Sequence, residues 1–364
     1  MIFDENEIYV IAEIGVNHNG SVELAKELIL KAKECGANAV KFQTFKAEEV
    51  LSDQADMAAY QKANTGKDSS QLEMVKKLEL SFEDTKKLRD YSEERGITFI
   101  STPFDNDSLD FLSNDLNVPF LKVSSADISN LPFLYKIALT GKPVILSTGT
   151  ASLGDIEKAL SVFTYVIEYG KSELPTIEKL RLSYAKQSNR QALKNKVVIL
   201  HCVTQYPASI EGSNLLAIST IKHAFGLNVG YSDHTLNEST AIAAVALGAT
   251  VFEKHITLDK EMDGPDHAAS MEINDFKKYV SILRQIKIGL GDGIKFMQEQ
   301  EKDNFSLVRR SLVARLQIND GETFSEENIG AKRAGSVQLL PEQLWELLGT
   351  KATKNYNINE LIEK

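Results

Sequence analysis

Short apolar runs alternate with segments of helical period along most of this chain. Helical segments include Val22–Cys35, Asp84–Glu94 and Ser239–Leu247, in which apolar side chains recur every three or four positions. The runs between such segments are continuously apolar, which is typical of parallel strands covered by helices. The predicted strands are Tyr9–Ile14, Ala39–Thr44, Thr98–Ser101, Phe120–Val123, Val144–Ser147, Val197–His201, Asn228–Tyr231 and Thr250–His255.

Eight strand–helix pairs predict a closed barrel, because eight parallel strands form the common barrel of this kind. We therefore predict an α/β fold, a (β/α)8 TIM barrel, over residues 1–289. An open doubly wound sheet is the alternative, but no Gly-x-Gly-x-x-Gly motif follows the first strand. The glycine-rich segment Gly289–Gly293 follows a helix, so we interpret it as a turn.

Two segments do not fit the strand–helix repeat. Lys171–Lys196, after the fifth strand, carries seven basic and two acidic residues. It shows no alternating strand pattern, so we predict a helical insertion. After a polar linker at 290–306, residues 307–364 show short alternating runs and the turn Asn319-Asp320-Gly321. These features predict a small β-rich domain at 307–364.

The composition excludes some classes of binding partner and indicates a cellular compartment. Of the 364 residues, 51 are acidic and 41 basic, and the net charge of −10 argues against nucleic acid and anionic membranes. No uncharged stretch is long enough to span a bilayer, the acidic start has no apolar signal core, and the two cysteines form no disulfide framework. We therefore expect a cytoplasmic protein. An anionic substrate would need a local cluster of Lys or Arg.

The carboxyl ends of the predicted strands carry the polar side chains, where the active site of such a barrel lies. Lys41 and Lys122 sit on strands, where a lone buried lysine is unfavourable. Their neighbours predict a cradle for an anion with phosphate and carboxylate groups. The alternative is that each lysine extends to the helix layer. The hydroxyls around them are Ser101, Thr102, Ser125, Ser147 and Ser232.

His234 and His255 end neighbouring strands at matching depth, which favours a divalent transition metal with open positions for a carbonyl substrate. Glu13, at the mouth of the first strand, is a candidate for positioning a substrate hydroxyl or transferring its proton, or for pairing with Lys41. Asp266, in the loop after the eighth strand, could face the same site.

Eight motifs then connect the chain to a known family. They are, in order, IAEIGVNHNG, VKFQTF, ISTPF, LKVSSAD, PVILSTG, GYSDHT, EKHITLD and GPDHAASM. This series resembles the sialic acid synthase family, which also includes legionaminic and pseudaminic acid synthases. The tail, with RRSLVA and AKRAG, is similar to the family's C-terminal antifreeze-protein-like (SAF) domain. The resemblance covers nearly the whole chain.

The resemblance implies a C–C bond-forming transferase that condenses phosphoenolpyruvate with an N-acyl-hexosamine to give a nine-carbon α-keto acid sugar. In the family, the methylene carbon of phosphoenolpyruvate attacks the open-chain aldehyde of N-acetylmannosamine. Water traps the oxocarbenium ion, and phosphate leaves with cleavage of the C–O bond. A divalent metal is implied, with Mn²⁺ as first choice and Mg²⁺ or Co²⁺ as alternatives. A homodimer is also implied, with the SAF domain swapped over the partner barrel.

By the same resemblance, His234 and His255 match the metal ligands, and Arg333 matches an arginine that reaches the sugar's N-acetyl group from the partner subunit. Without the resemblance, Arg333 would be read as a solvated loop residue. Phe305 matches a residue that also approaches the partner's site. Six further residues match those that contact the carboxylate and phosphate of phosphoenolpyruvate in the family. They are Lys41, Thr102, Lys122, Ser125, Ser147 and Ser232.

The resemblance also matches residues of this chain to family residues that contact the sugar, position water or line the pocket. We expect Glu13, Asp127 and Lys122 to be catalytic. Asp127 stands where many sialic acid synthases have glutamate, and Thr204 stands where some have asparagine near the phosphate. A hydroxyl offers one donor against the amide's two. The matching residues are Glu13, Gln43, Phe104, Asp127, Tyr206 and Asp266.

Three functions remain in competition at this point. The first is the synthase acting on N-acetylmannosamine to give N-acetylneuraminate, with N,N′-diacetyllegionaminate synthesis from 2,4-diacetamido-2,4,6-trideoxymannose as runner-up. The second is a barrel aldolase that uses Lys122 as a Schiff base. The third is a non-enzymatic protein whose tail binds ice or glycan, against which the polar strand ends argue.

Overall fold

The computed structural model describes residues 3–52 and 70–363. Its first compact unit spans Met1–Gly291 and contains eight parallel strands, each paired with the next, with β1 also paired to β8. The prediction of a closed (β/α)8 barrel is therefore confirmed. The strands are β1 (Tyr9–Gly15), β2 (Ala39–Thr44), β3 (Thr98–Pro103), β4 (Leu121–Val123), β5 (Val144–Ser147), β6 (Val197–Cys202), β7 (Val229–Asp233) and β8 (Val251–Thr257).

Helices lie between successive strands, and several begin with a side-chain cap. Ser152, for example, accepts a hydrogen bond from the Asp155 backbone N–H, and the Asp155 carboxylate accepts one from the Ser152 N–H in return. The α-helices of this unit are Val22–Glu34, Ala47–Val50, Gln71–Leu78, Phe82–Glu94, Asn106–Asp110, Leu131–Leu139, Leu153–Tyr169, Ile177–Ala185, Gln187–Ala192, Leu216–Phe225, Ser239–Ala246 and Ile273–Gly289. None of the helices within 3–52 and 70–363 is long and apolar enough to cross a membrane.

Several strands continue beyond the apolar runs that predicted them. The β7 ladder includes Ser232 and Asp233, which pair with Glu253 and Lys254 of β8. A two-residue strand, β9 (Met271–Glu272), then pairs in parallel with the end of β8.

The barrel has two apolar layers. Side chains pointing inward form a small core that includes Ile11, Ala39, Ile145 and Val251. A much larger core fills the space between the strands and the helices. The alternation of side-chain direction along each strand separates the two layers.

The predicted basic insertion is helical, as the absence of an alternating strand pattern suggested. Its helices, Ile177–Ala185 and Gln187–Ala192, pack against Leu153–Tyr169. Glu168 joins them, because its carboxylate accepts hydrogen bonds from Lys186 and from Asn189 Nδ2.

The second compact unit spans Asp292–Lys364. It contains the helices Lys302–Val308 and Leu344–Leu347 and an antiparallel pair of short strands, β10 (Ser311–Ala314) and β11 (Ile329–Lys332). Much of its remaining chain forms turns and isolated bridges around its own apolar core. Its assignment as an SAF domain and the predicted linker at 290–306 stay predictions.

Gly230 lies on β7 where this strand pairs closely with Val251 of β8, and it supplies a test of the fold. A Cβ at this position would lie 2.1 Å from the Val251 carbonyl oxygen and 2.5 Å from Leu200 Cδ2. We expect Gly230→Ala to lower the free energy of unfolding by about 1–3 kcal/mol, because backbone cannot move aside as a flexible side chain can. Urea unfolding followed by circular dichroism measures this change.

Gly289→Ala is the matched control, since a Cβ there meets no atom within 4 Å. It should leave stability unchanged or raise it by up to about 1 kcal/mol. Equal effects of the two substitutions would contradict the packing described for Gly230.

Candidate active site

A cavity of about 870 Å³ opens at the carboxyl ends of the barrel strands. Most of the site residues predicted from the sequence line this cavity, although they lie on eight different strands and the loops that follow them. The predicted residues that line it are Glu13, Lys41, Gln43, Thr102, Phe104, Lys122, Ser125, Ser147, Thr204, Tyr206, Ser232, His234, His255 and Asp266.

Lys41 lies at the centre of a buried charge cluster. Its Nζ is 2.8 Å from Glu13 Oε1 and 3.9 Å from Glu253 Oε2. Both alternatives raised for Glu13 therefore remain compatible, since it pairs with Lys41 and also lines the cavity. Gln43 Nε2 donates to the same Glu13 oxygen at 3.3 Å, which orients the carboxylate.

Lys122 completes the cluster from β4. Its Nζ lies 3.5 Å from Glu253 Oε2 and donates a hydrogen bond of 2.7 Å to Ser147 Oγ. Neither lysine extends to the helix layer, because the side chains of Lys41 and Lys122 are only 5% and 4% exposed and end beside inward-facing carboxylates.

Burial and neighbouring charge act differently on the two carboxyl groups. Burial raises the pKa of Glu13 to about 7, although Lys41 opposes the rise. Burial also disfavours the charged form of Glu253, but Lys122 and Lys41 outweigh it and lower the pKa of Glu253 to about 2. Such divergence is typical of sites that need one carboxyl group to exchange a proton and another to stay ionised.

Glu253 was absent from the sequence-predicted site. It lies two residues before His255 on β8, and the alternation along the strand places both on the cavity side. That alternation was the available signal. The converse error concerns Ser101, a predicted cradle hydroxyl that does not line the cavity. Its Oγ lies 2.7 Å from Thr44 Oγ1, because neighbouring Thr102 takes the inward position.

The hydroxyls beside Lys122 are held by local contacts. Ser125 Oγ accepts a hydrogen bond of 2.8 Å from the Gly149 backbone N–H and lies 3.2 Å from Cys202 Sγ. A Cβ on Gly149 would lie 2.2 Å from Thr204 Oγ1, so glycine allows these loops to meet.

The imidazole rings of His234 and His255 are neighbours in an edge-on arrangement, with centroids 5.8 Å apart and ring planes inclined at 63°. The Val203 carbonyl can only accept, so its 2.7 Å contact assigns the proton of His234 to Nδ1 and leaves a lone pair on Nε2. Burial lowers the pKa of both imidazoles, which favours the neutral form that binds metals.

The surroundings of His234 Nε2 fit a cation. This atom lies 3.2 Å from Ser232 Oγ, whose single proton is directed to Glu253 Oε1 at 2.9 Å. Two lone pairs therefore face each other without a proton between them. Within the described ranges no cluster of three or more His, Cys, Asp or Glu side chains could hold a metal. The lone pair on His234 Nε2 makes this residue, with neighbouring His255, a candidate pair of metal ligands.

Asp266 reaches the cavity from the loop that follows β8. Asn17 Nδ2 donates to Ser270 Oγ at 2.8 Å, and Ser270 Oγ donates to the Asp266 carbonyl at 2.7 Å. Burial raises the pKa of Asp266 to about 6, with Lys41 opposing the rise. This loop brings a second carboxyl group with a raised pKa to the site.

One side of the cavity is apolar, which the sequence analysis did not predict. Val16, Phe45, Met74 and Leu78 form a small cluster there, with Phe104 packed against it. Met74 and Leu78 lie four residues apart on the helix Gln71–Leu78, so helical periodicity was the signal available.

Three predicted site residues are not among those that line the cavity. Asp127 is half-buried on the single turn Ser125–Asp127, where Asn130 Nδ2 lies 3.4 Å from its Oδ1. Arg333 and Phe305 belong to the second unit. Arg333 is exposed, and the Arg309 guanidinium lies 5.4 Å from the Phe305 ring centroid.

Comparison with known proteins identifies the family. The model of the NeuB family matches residues 28–295, which is most of the barrel. The chain belongs to the NeuB family of sialic acid synthases. The predicted family and the prediction of an enzyme are thereby confirmed.

Individual relatives match most of the chain. The N,N′-diacetyllegionaminic acid synthase of Campylobacter jejuni is 46% identical over 98% of both chains. The enzyme of the same name from Legionella pneumophila is 40% identical over 95% of this chain and 91% of its own. The solved N-acetylneuraminic acid synthetase of Leptospira borgpetersenii is 32% identical, with a TM-score of 0.67 over 83% of this chain and 91% of its own.

The raised pKa of Asp266 supplies a test of the site's electrostatics. The carboxyl group ionises near its ordinary value of 3.8 in the unfolded chain and near 6 in the folded chain. Its contribution to stability is therefore fully present below about pH 4 and lost as the pH rises through 6. Asp266→Asn removes this dependence.

We expect the unfolding free energy of the wild type minus that of Asp266→Asn to fall between pH 4 and 7. The fall should be on the order of 1–2 kcal/mol, since one pKa unit corresponds to about 1.4 kcal/mol and partial exposure reduces it. Urea unfolding at intervals of one pH unit measures it. Asp263→Asn, exposed in the same loop, is the control, and a flat difference for Asp266→Asn would contradict the assignment.

Proposed function

We propose that this NeuB-family chain condenses phosphoenolpyruvate with an open-chain N-acyl-mannosamine sugar and water, giving a nine-carbon α-keto acid sugar and phosphate. The observation that carries the proposal is that the buried pair Lys41 and Lys122 lines the same cavity as the neighbouring imidazoles of His234 and His255. The two ammonium groups suit a small substrate that is anionic at both ends, and the imidazoles suit a metal next to a carbonyl oxygen.

The anion would bind where the lysines meet the hydroxyls. Lys122 Nζ already donates to Ser147 Oγ, and Lys41 Nζ lies 3.3 Å from Thr102 Oγ1. Charge-assisted hydrogen bonds to carboxylate and phosphate are shorter and stronger than neutral ones. An entering anion would therefore take over both ammonium groups and neighbouring hydroxyls together.

His234 and His255 would hold a divalent ion, with Mn²⁺ as first choice and Mg²⁺ or Co²⁺ as alternatives. Such an ion would supply a Lewis acid for the aldehyde oxygen.

The chain's own carboxyl groups account for the proton transfers. As the methylene carbon of phosphoenolpyruvate bonds to the aldehyde carbon, the aldehyde oxygen needs a proton, and Glu13 with a pKa near 7 can give one. Water then adds to the former enol carbon and loses a proton to Asp266. Phosphate then leaves with the electrons of the C–O bond and takes the proton of the remaining hydroxyl, so that this oxygen becomes the ketone oxygen.

Two sugars are in competition, and the structure and relatives favour the more apolar one. N-acetylmannosamine was the first choice from the sequence, but 2,4-diacetamido-2,4,6-trideoxymannose carries a C6 methyl and a second acetamido methyl. The apolar wall around Phe45 and Met74 can cover such methyl groups. The two relatives named for diacetyllegionaminic acid are 46% and 40% identical, against 32% for the N-acetylneuraminic acid synthetase.

The proposal is tested by assaying phosphoenolpyruvate with each sugar. We expect kcat/KM for the diacetamido sugar to exceed that for N-acetylmannosamine by about tenfold or more, because each buried methyl contributes on the order of 1 kcal/mol. Phosphate release and mass spectrometry of the keto acid measure the two rates. A preference for N-acetylmannosamine would reverse the choice of sugar.

Two controls separate the synthase from the Schiff-base alternative. A chelator should abolish activity and Mn²⁺ should restore it, whereas a Lys122 Schiff base would survive chelation and be trapped by borohydride with a keto substrate. Release of phosphate without a new C–C bond would contradict the synthase itself.

We further propose that Arg333 acts in a homodimer in which the second unit, as an SAF domain, is swapped over the partner barrel. Its support is the resemblance of the AKRAG segment and the exposure of the Arg333 side chain. The two lysines alone are matched by two carboxylates, so a further cation would favour an anionic substrate.

A mixed-dimer experiment tests the shared site. Arg333→Ala and His234→Ala should each be nearly inactive alone, because each lacks one element of every site. Unfolding and refolding the two together should recover up to about a quarter of wild-type activity, since half of the dimers are mixed and each holds one intact site. Activity that does not exceed that of the separate variants would refute the exchange.

A further inference from the structure

Glu253 is a buried carboxylate to which the proposed reaction assigns no role. It lies on β8 with its side chain 5% exposed, on the cavity side of the barrel. Its Oε1 accepts a hydrogen bond from Ser232 Oγ at 2.9 Å. Its Oε2 has no hydrogen-bond partner among the residues that the structure describes.

Oε2 of Glu253 nevertheless faces both lysines. It lies 3.5 Å from Lys122 Nζ and 3.9 Å from Lys41 Nζ. Each lysine also has another contact, Lys122 to Ser147 and Lys41 to Glu13. One oxygen thus serves as a counter-charge to two buried ammonium groups that would otherwise repel each other.

The same oxygen occupies the electrostatic position of a substrate anion. A phosphate or carboxylate entering between Lys41 and Lys122 would meet the negative charge of Glu253 at short range, where repulsion is weakly screened. The charge therefore holds the lysines in place while opposing the anion that they receive.

We propose that Glu253 is a positioning residue, the shared counter-ion that spaces Lys41 and Lys122 for turnover and lowers the affinity of the site for anions. The effect on turnover rests on the proposed function, whereas the effect on anion affinity does not. Removal of the charge should tighten anion binding while slowing the reaction, a combination that loss of packing would not produce.

Glu253→Gln tests the charge with little change in shape, since Gln keeps an oxygen that can accept from Ser232. Isothermal titration of the full-length chain with inorganic phosphate should show an affinity about tenfold higher than in the wild type. In the assay, the KM for phosphoenolpyruvate should fall and kcat should drop by about tenfold or more, with the KM for the sugar unchanged. Unchanged or weaker phosphate binding would overturn the proposal.

Two further variants guard against a purely structural effect. Glu253→Asp keeps the charge and should bind phosphate as weakly as the wild type, so binding as tight as that of Glu253→Gln would count against the proposal. Glu168→Gln removes a carboxylate that also binds a lysine, Lys186, on a helix outside the barrel. It should leave phosphate affinity, both KM values and kcat unchanged.

The two arms of the experiment can fail separately. If the wild type forms no keto acid with either sugar, the proposed function fails, while the phosphate titrations still decide how the charge of Glu253 acts. If the wild type turns over but Glu253→Gln keeps its full kcat, the proposed function stands and the positioning role is overturned.

Discussion

Closure of eight parallel strands into a barrel is the constraint on which the rest of this structure depends. Once β1 pairs with β8, every second side chain of each strand must point into a narrow interior. Apolar side chains fill the lower part of that interior. Toward the carboxyl ends the same inward positions hold Glu13, Lys41 and Glu253, so one geometric rule produces both the core and the site.

Charged groups inside the barrel are tolerated because each is matched. Burying an unpaired ion is strongly unfavourable, and removing one partner of a buried pair leaves that penalty uncompensated. Glu13, Lys41, Glu253 and Lys122 form a connected series of opposite charges. The series is neutral when Glu13 is ionised. Its two carboxyl groups differ widely in pKa because only Glu253 lies between both lysines.

A second ion pair lies on the side of the strands opposite the cavity, next to the two histidines. Asp233 and Lys254 directly precede His234 and His255, and their side chains point away from the cavity, where Lys254 Nζ lies 3.0 Å from Asp233 Oδ2. Lys254 also donates to the Thr235 carbonyl. These contacts hold β7 against β8 next to the two imidazoles. They therefore stabilise the strand pairing and the positions of both histidines.

Much of this protein was determined by the sequence itself: the eight apolar runs, the polar residues after them and the motifs of the NeuB family are local features that need no coordinates. Tertiary structure decided which of those residues face one another. Glu253 lines the cavity and Ser101 does not. Alternation along a strand separates two faces, but only barrel closure decides which face points into the site. The apolar wall likewise depends on how the helix Gln71–Leu78 packs, because it places Met74 and Leu78 against Val16 and Phe45. Periodicity is encoded locally, whereas burial, charge pairing and pKa depend on neighbours that only the folded chain brings together.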